Sequence, residues 1–223
     1  MENRKKLIIF DLDGTLYKLK GGSFKRSGIY KEVLKNTEQY IIDKLNKTKR
    51  EAKLILKKII KEYDESISIG LEEKFKIDRY AYFNATWNIS AQKYIKINLG
   101  LRTKLLKIKN NFDLALVSDA PRVWIKNVLK ELKIENIFTD NNIFSGEGNI
   151  RKEFGNAFNK IIKVLNIKPE YCIAIGDQEE TDIIPAKKIG IKTILINRRN
   201  KTGVADYVIK DISELKKLLD III

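Results

Sequence analysis

The chain has 223 residues, of which 44 are Lys or Arg and 29 are Asp or Glu, and its formal net charge is +15. This length suits one core domain with an insert, and a hydrophobic content of 43% is enough to build a real core. The sequence contains no histidine, which excludes Ser-His-Asp triads and His-based zinc sites. Catalysis would therefore have to use carboxylates, hydroxyls, lysines or a metal.

The single cysteine, Cys172, excludes an internal disulfide framework and indicates a reducing compartment. It lies in an apolar run, which predicts a buried thiol rather than a nucleophile. No run approaches the roughly 20 apolar residues that a membrane span needs. We therefore expect a cytoplasmic protein without a membrane partner, either a monomer or a homodimer.

Short apolar runs bounded by polar residues predict the strands of a buried parallel sheet. The strong candidates are residues 7–10, 114–117, 172–175 and 193–196, and the weaker ones are 136–138 and 207–209. Helical patterns between them cover residues 122–132, 153–165 and about 182–189. Strand and helix alternate from about residue 111 onward, which predicts an α/β fold with a parallel sheet.

Residues 28–110 show apolar positions at helical spacing and no good strand, so we expect a helical insert after the first strand. Residues 18–110 hold 23 basic and 10 acidic residues, an excess of +13, whereas the rest of the chain carries +2. This charge is either a solvated surface or a region that steers an anion towards the protein. It lacks the motifs of nucleic-acid-binding proteins, so nucleic acid is not the expected partner.

Three of the strong strand candidates end in chemically competent residues. The first runs into Asp11 and Asp13, the second into Ser118 and Asp119, and the third into Asp177. Ligands of open parallel sheets bind outside the carboxyl ends of the strands. We therefore expect these three loops to meet in one crevice.

The string Asp-Leu-Asp-Gly-Thr at residues 11–15 is the most specific of these signals, since chance produces it about once in 10⁵ positions. Two carboxylates two residues apart point to opposite sides of a regular strand, but the glycine lets the chain turn so that both face one site. One carboxylate can then act as a nucleophile and metal ligand and the other as a proton donor.

With these motifs in this order, the sequence resembles the haloacid dehalogenase-like hydrolase superfamily, specifically its phosphatases. The resemblance covers nearly the whole chain. It implies a Rossmann-like α/β core made of residues 1–17 and 99–223, with helices flanking the sheet. Residues 18–98 would form the inserted all-helical cap of the superfamily's first subclass.

The resemblance also implies roles for individual residues. Asp11 matches the nucleophile that becomes an aspartyl-phosphate, and Asp13 matches the general acid/base, whose backbone carbonyl also contacts magnesium. Ser118 matches the hydroxyl that holds the transferring phosphoryl group. Lys152 matches the lysine that neutralises the nucleophile and the phosphate.

The acidic loop after the third strand matches the family's metal loop, with Asp177 and Asp182 as candidate ligands together with Asp11. Mg²⁺ is the expected cofactor because it prefers oxygen ligands and bridges carboxylates to phosphate oxygens. Asp177 directly follows the strand and is the better candidate, whereas Asp182 could act through water. Glu179 and Glu180 are competing ligands or exposed loop charges.

Two positions depart from the family pattern. The second motif often reads Ser/Thr-Asn, but here Asp119 follows the serine and adds a negative charge to the phosphate-binding region. The motif lysine is commonly followed by proline, but Lys152 lies between Arg151 and Glu153. Either Arg151 or Lys152 could reach the phosphate, and the spacing favours Lys152.

We therefore expect a Mg²⁺-dependent phosphomonoester hydrolase for a small phosphorylated metabolite such as a nucleoside monophosphate or phosphoglycolate. The alternatives are a phosphomutase of the same superfamily and a basic nucleic-acid-binding protein on an inactive scaffold; the acidic motifs disfavour a dehalogenase. Aromatic residues of the insert either stack on a base or pack its helices; they are Tyr80, Tyr82, Phe83 and Trp87.

Overall fold

The structure is a computed structural model that describes residues 5–96, 98, 100–148, 152, 155–197 and 203–222. Its strands are β1 (Lys6–Phe10), β2 (Phe112–Ser118), β3 (Ile143–Ser145), β4 (Cys172–Gly176), β5 (Lys192–Ile196) and β6 (Tyr207–Ile209). They form one sheet in the order β3-β2-β1-β4-β5-β6, and every pairing is parallel. The predicted Rossmann-like α/β fold is thus confirmed.

The helices before β2 are α1 (Gly28–Leu45), α2 (Lys49–Tyr63), α3 (Ile67–Phe75), α4 (Arg79–Thr86) and α5 (Leu101–Lys109). Those after β2 are α6 (Arg122–Glu131), α7 (Asn156–Val164), α8 (Ile184–Lys188) and α9 (Leu215–Ile222). A π-helical turn, Glu179–Ile183, leads directly into α8. Between α1 and α5 the described residues contain no strand, as the helical spacing predicts.

The helices of the insert begin and end at residues that suit those positions. Ser27 Oγ accepts a hydrogen bond from Tyr30 N at the start of α1, and Asn46 ends that helix with φ of 50°. Thr48 and Glu51 form a capping box at the start of α2. Local sequence therefore contributes to the stability of α1 and α2.

Alternating residues of β1 point to opposite faces of the sheet and enter different apolar clusters. Ile8 and Phe10 pack with α5, α6 and α9 on one face, whereas Leu7 and Ile9 pack with α7 on the other. A third cluster joins α1, α2, α3 and α4 to one another, around Ile41, Ile59 and Leu71 among others. The insert therefore has an apolar core of its own.

The prediction of a strand at residues 136–138 is wrong. Ile137 and Phe138 are buried, and Phe138 packs edge-on against Phe10, but this segment is a turn after α6. The edge strand is β3, in which Ile143 pairs with Leu116. The apolar signal at 136–138 comes from side-chain burial rather than from backbone pairing.

The remaining helix predictions differ from the structure only at their ends. The helix expected at 153–165 is α7, Asn156–Val164, and Glu153 lies outside the described residues. The pattern at 182–189 includes the π-helical turn before α8. Among the described helices, none is both long and apolar enough to cross a bilayer.

Candidate active site

The candidate site lies at the carboxyl ends of β1, β4 and β2, the three central neighbours of the sheet. The chain leaves β1 at Asp11 and β4 at Asp177, and Ser118 is the last residue of β2. Asp11 N donates a 2.9 Å hydrogen bond to Ile175 O, which extends the pairing of β1 with β4 by one residue. Backbone pairing therefore fixes the position of the Asp11 main chain, from which the first carboxylate extends into the site.

Lys152 joins two of the predicted carboxylates. Its Nζ lies 2.6 Å from Asp11 Oδ1 and 2.5 Å from Asp182 Oδ1. The three residues are buried, with exposed fractions of 3% for Lys152, 4% for Asp11 and 1% for Asp182. Burial lowers the pKa of Lys152, but the two carboxylates outweigh burial and hold its pKa well above the usual value. The lysine therefore carries a positive charge inside the site.

Asp182 also organises the loop after β4. Its Oδ2 accepts hydrogen bonds from the backbone N–H groups of Asp177, at 3.2 Å, and Gln178, at 3.0 Å. Both carboxylate oxygens of Asp182 are therefore engaged within the protein. This residue fixes the loop that presents Asp177.

The loops after β1 and β4 approach each other closely at Gly14. The glycine has φ of 107°, and a Cβ added to it would collide with the carboxylate of Asp177. A glycine here serves both the left-handed turn and the close approach. The turn also brings Asp13 back to the same crevice as Asp11.

Asp13 receives hydrogen bonds from two aromatic side chains. Trp124 Nε1 donates to Asp13 Oδ1 at 2.9 Å, and Tyr17 Oη donates to the same oxygen. Burial raises the pKa of Asp13 to about 6, although these two hydrogen bonds lower it. A carboxyl group with a pKa in this range can both give and take a proton near neutral pH.

Ser118 and Asp119 lie on the β2 side of the crevice. Ser118 Oγ accepts a hydrogen bond from Ala120 N at 3.1 Å and lies 3.4 Å from Asp13 Oδ2. Asp119 Oδ1 accepts a 3.0 Å hydrogen bond from Lys152 N. Asp119 therefore positions the backbone that carries the lysine.

Three carboxylates of the crevice could hold a metal ion. Asp11, Asp177 and Asp182 each offer an oxygen atom, and these atoms lie within 4.8 Å of one another. Asp11 Oδ2 is buried and has no hydrogen-bond partner among the described residues. Hard oxygen donors and a buried carboxylate oxygen fit Mg²⁺. Among the described residues this cluster contains neither Glu179 nor Glu180.

A cavity of about 440 Å³ opens from these residues towards the insert. Its core side includes Asp11, Asp13, Ser118, Asp119 and Lys152. Its insert side combines aromatic rings with charged groups; they are Phe24, Tyr30, Tyr82, Phe83, Trp87, Lys25, Asp64, Glu65 and Arg79. The insert thus contributes much of the cavity wall.

All seven candidate site residues lie around this crevice; they are Asp11, Asp13, Ser118, Asp119, Lys152, Asp177 and Asp182. Arg151, the alternative to Lys152, lies outside the described residues. Sequence reasoning missed Tyr17, which reaches Asp13 through the turn at Gly14, and Trp124, which reaches it through tertiary folding. Cys172 is buried in β4 as predicted, and burial raises the pKa of its thiol to about 12.

Comparison with known proteins places the chain in a family. The model of the haloacid dehalogenase-like hydrolases matches residues 5–190. Glyceraldehyde 3-phosphate phosphatase of Pyrococcus furiosus is 27% identical over 135 residues, which are 57% of this chain and 56% of that protein. The protein of the same name from Methanothermobacter thermautotrophicus is 26% identical over 232 residues, which cover 96% of this chain and 99% of that one.

The fold has a counterpart among solved structures as well. The crystal structure of a HAD phosphatase from Thermococcus onnurineus superposes with a TM-score of 0.65 at 20% identity, covering 96% of this chain and 97% of that one. The prediction of a phosphatase enzyme with this fold is confirmed by the family match and the curated relatives. The chain belongs to the haloacid dehalogenase-like hydrolases.

Proposed function

We propose that the protein is a Mg²⁺-dependent phosphomonoester hydrolase that acts on a small phosphorylated metabolite through an aspartyl-phosphate. The observation that carries the proposal is the environment of Asp11. Its carboxylate is buried, a charged lysine holds Oδ1 at 2.6 Å, and Oδ2 has no hydrogen-bond partner among the described residues. Such a carboxylate is fixed in place and retains an oxygen for a further interaction.

Asp11 would act as the nucleophile. Its carboxylate attacks phosphorus, the bond between phosphorus and the ester oxygen breaks, and that oxygen leaves with the electron pair. Asp13, two residues along the chain, gives its proton to the leaving oxygen. The products of this step are the free alcohol and the aspartyl-phosphate of Asp11.

The second step returns the enzyme to its starting state. Asp13, now ionised, takes a proton from water while the water oxygen attacks phosphorus. The bond between phosphorus and Asp11 breaks, which releases inorganic phosphate and restores both side chains. A pKa of about 6 suits both roles of Asp13, because each form is accessible near neutral pH.

Lys152 and Ser118 would bind the phosphoryl group. Lys152 is charged, buried and already 2.6 Å from the nucleophile, so it would also neutralise an incoming phosphate oxygen. Ser118 Oγ can donate a hydrogen bond to another phosphate oxygen. Asp119 would act indirectly, since it holds the backbone of Lys152.

The metal would be held by Asp11, Asp177 and the backbone carbonyl of Asp13, with Asp182 as a ligand or as the support of the loop. When bound, Mg²⁺ would reduce the repulsion between the carboxylates and the phosphate ester. Asp11, Asp177 and Asp182 provide three acidic groups against the single ammonium of Lys152. This excess of negative charge supports a requirement for a cation.

Residues 18–98 would form a cap over the site. Helices α1–α4 have their own apolar cluster, and residues of the insert line the cavity that contains Asp11. A cap in this position would exclude bulk water while the leaving group departs. The relatives named glyceraldehyde 3-phosphate phosphatases support a small phosphorylated substrate.

Trapping the intermediate tests the proposal. A phosphomonoester labelled in its phosphate should transfer label to the peptide containing Asp11 when the reaction is quenched in acid, and free phosphate should follow. Asp11→Asn should show neither, because an amide cannot form the phosphoenzyme. Asp113→Asn is the matched control, since Asp113 is an exposed carboxylate near the start of β2.

Near-normal turnover by Asp11→Asn would show that the covalent mechanism is wrong. Transfer of the label to a second hydroxyl of the substrate, without release of phosphate, would instead identify a phosphomutase. Measuring free phosphate and labelled organic product in the same reaction separates these outcomes.

A further inference from the structure

Three aromatic residues of the cavity wall form a connected group, here named the aromatic triad: Phe24, Tyr30 and Trp87. They come from three separate places in the insert. Phe24 lies in the segment before α1, Tyr30 in the first turn of α1, and Trp87 directly after α4. Folding rather than sequence adjacency brings them together.

The rings of the triad contact one another through Phe24. Phe24 and Trp87 are parallel, with an interplanar angle of 1° and ring centroids 5.7 Å apart. Tyr30 meets Phe24 edge-on, at 5.5 Å and 62°. These are the offset-stacked and edge-to-face arrangements that aromatic rings prefer. The triad is therefore a connected group of rings with a fixed mutual orientation.

Burial distinguishes the triad from Tyr82 and Phe83, the other aromatic residues of the insert that line the cavity. Tyr82 and Phe83 are buried in the apolar cluster of α1–α4, and Tyr82 Oη lies 2.9 Å from Thr37 Oγ1, so these rings pack the helices. Tyr80 is 57% exposed and does not line the cavity. The three rings of the triad are only partly buried, and all of them line the cavity.

The same cavity contains the proposed phosphoryl-transfer residues Asp11 and Lys152. A phosphoryl group bound there would extend its leaving group into the remaining space. The cavity volume of about 440 Å³ lies within the range of roughly 300–1,000 Å³ that small-molecule sites occupy. It can therefore accept a leaving group that reaches the triad.

We propose that the leaving group of the substrate carries a planar unsaturated ring, which stacks on the aromatic triad. The inference rests on the proposed phosphatase function and narrows its substrate class. The binding of a flat unsaturated ring is stabilised both by contact area and by interactions between ring faces. The binding of a saturated ring of similar size is stabilised by contact area only. The binding of a short aliphatic chain is stabilised little by either contribution.

Three alkyl phosphates separate these contributions: benzyl, cyclohexylmethyl and ethyl phosphate. All are esters of primary alcohols, so their leaving groups have similar intrinsic reactivity. With Mg²⁺ present, we expect kcat/KM for benzyl phosphate to exceed that for cyclohexylmethyl phosphate by about 3-fold to 10-fold. Ethyl phosphate should be the poorest substrate of the three.

Variants then assign the preference to the triad. Trp87→Leu should lower kcat/KM for benzyl phosphate by about 10-fold and change that for ethyl phosphate by less than about 2-fold. Tyr80→Leu is the matched control, because it removes an exposed aromatic ring of α4 that does not line the cavity. Phe24→Leu should change kcat/KM for the three substrates in the same way as Trp87→Leu. It serves as the second test variant if Trp87→Leu folds poorly, and thermal unfolding measurements would show whether either variant does.

Binding of benzylphosphonate and ethylphosphonate gives a readout that does not require turnover. Tighter binding of benzylphosphonate than of ethylphosphonate, lost in Trp87→Leu, would support the inference. The absence of hydrolysis of every phosphate ester would reject the proposed function, but it would leave this binding result in place. Equal values for benzyl and cyclohexylmethyl phosphate, or a preference for ethyl phosphate, would overturn the inference. So would an equal effect of Trp87→Leu on all three substrates.

Discussion

Trp124 Nε1 donates a 2.9 Å hydrogen bond to Asp13 Oδ1, across 111 residues of sequence. Tyr17 donates to the same oxygen, whereas Oδ2 lies 3.4 Å from Ser118 Oγ. An oxygen that accepts two hydrogen bonds is a poor place for a proton. The acidic proton of Asp13 should therefore reside on Oδ2, the oxygen nearer to Ser118.

The first prediction concerns the pH dependence of turnover. The pKa of Asp13 is about 6 because burial outweighs the two hydrogen bonds that lower it. Trp124→Phe removes one of those donors, so the pKa should rise further. Since the protonated form gives the proton in the first step, the alkaline limb of kcat/KM for an alkyl phosphate should move to higher pH.

Tyr17→Phe should move the alkaline limb in the same direction, because Tyr17 also donates to Asp13 Oδ1. Trp87→Phe, which changes an indole that is not bonded to Asp13 among the described contacts, should leave the limb in place. A shift to lower pH in Trp124→Phe or Tyr17→Phe would contradict the assignment of Asp13 as the proton donor.

The second prediction concerns stability in the absence of Mg²⁺. The folded pKa of Asp13, about 6, is higher than its ordinary value of 3.8. The contribution of Asp13 to stability is therefore fully present below pH 3.8 and is lost as the pH rises through 6. Above that pH, ionised Asp13 should lower the free energy of unfolding by up to about 3 kcal/mol.

Asp13→Asn cannot ionise, so it should be more stable than the parent protein at pH 8, and the difference should shrink towards pH 4. Urea unfolding at several pH values measures this, with Asp113→Asn as the control that should show no such trend. The same substitution should reduce turnover by about 10²–10⁴-fold, because it removes the acid and the base. Equal stability differences at pH 4 and pH 8 would contradict the prediction.

The third prediction concerns the buried ion pairs of Lys152. Lys152→Met would leave Asp11 and Asp182 buried without their cation, so we expect the free energy of unfolding to fall by about 3–5 kcal/mol. The double variant Lys152→Met with Asp182→Asn should recover part of this loss in stability, since it removes one of the two buried carboxylates that have lost their cation.

Lys126→Met is the control for the loss of a lysine. Lys126 pairs with Asp140 at 3.3 Å, but both side chains are largely exposed. Its removal should cost no more than about 1 kcal/mol. Similar losses in Lys126→Met and Lys152→Met would show that the buried position of Lys152 has no special role in stability.

The fourth prediction concerns the metal. Chelation should abolish phosphatase turnover and Mg²⁺ should restore it. Mg²⁺ should also raise the Tm of the resting protein, because a ligand that binds only the folded state stabilises it. Full activity in excess chelator would refute the metal assignment.

The two acids of the loop after β4 should respond differently. Asp177→Ala should lose most of the Mg²⁺-induced rise in Tm. Asp182→Ala should instead lower the metal-free Tm, since Asp182 bonds Lys152 and two backbone N–H groups. We expect the Mg²⁺ dependence of activity to weaken more in Asp177→Ala than in Asp182→Ala.

The fifth prediction concerns the charge of residues 18–110. Lys53 and Lys57 are exposed on one side of α2, and neither lines the cavity. If the excess of +13 steers an anionic substrate, kcat/KM should fall with added salt, because charges are screened beyond about 8–10 Å. Lys53→Glu with Lys57→Glu should lower kcat/KM at low salt and flatten the salt dependence. A flat salt response in the parent protein would identify the charge as a solvated surface only.

The positions of the strong strands were predictable because each is a short apolar run bounded by polar residues. The edge strand β3 was not, since its Ile143 and Phe144 repeat the residue types of Ile137 and Phe138, which are buried without pairing as a strand. Backbone pairing and side-chain burial leave similar traces in a sequence when the segment is short.

The meeting of the acidic loops was also predictable, since it depends on strand direction alone. The partners of Asp13 were not, because an indole 111 residues away carries no local pattern that points to a carboxylate. Tyr17 lies four residues from Asp13, but only the turn at Gly14 brings its hydroxyl back to that carboxylate. The aromatic triad depends in the same way on the packing of separate segments of the insert.

Because Cys172 is the only cysteine of the sequence, its chemical modification can report on local unfolding around β4. Cys172 begins β4, pairs with Leu7 of β1, and has no exposed surface. Its side chain lies in the apolar cluster between the sheet and α7, so a thiol reagent can reach it only when this layer opens, and no other cysteine competes for the reagent. The rate at which the native protein is alkylated should therefore follow the population of molecules in which this layer has opened. Ligands that close the site could be ranked by how far they slow that single modification.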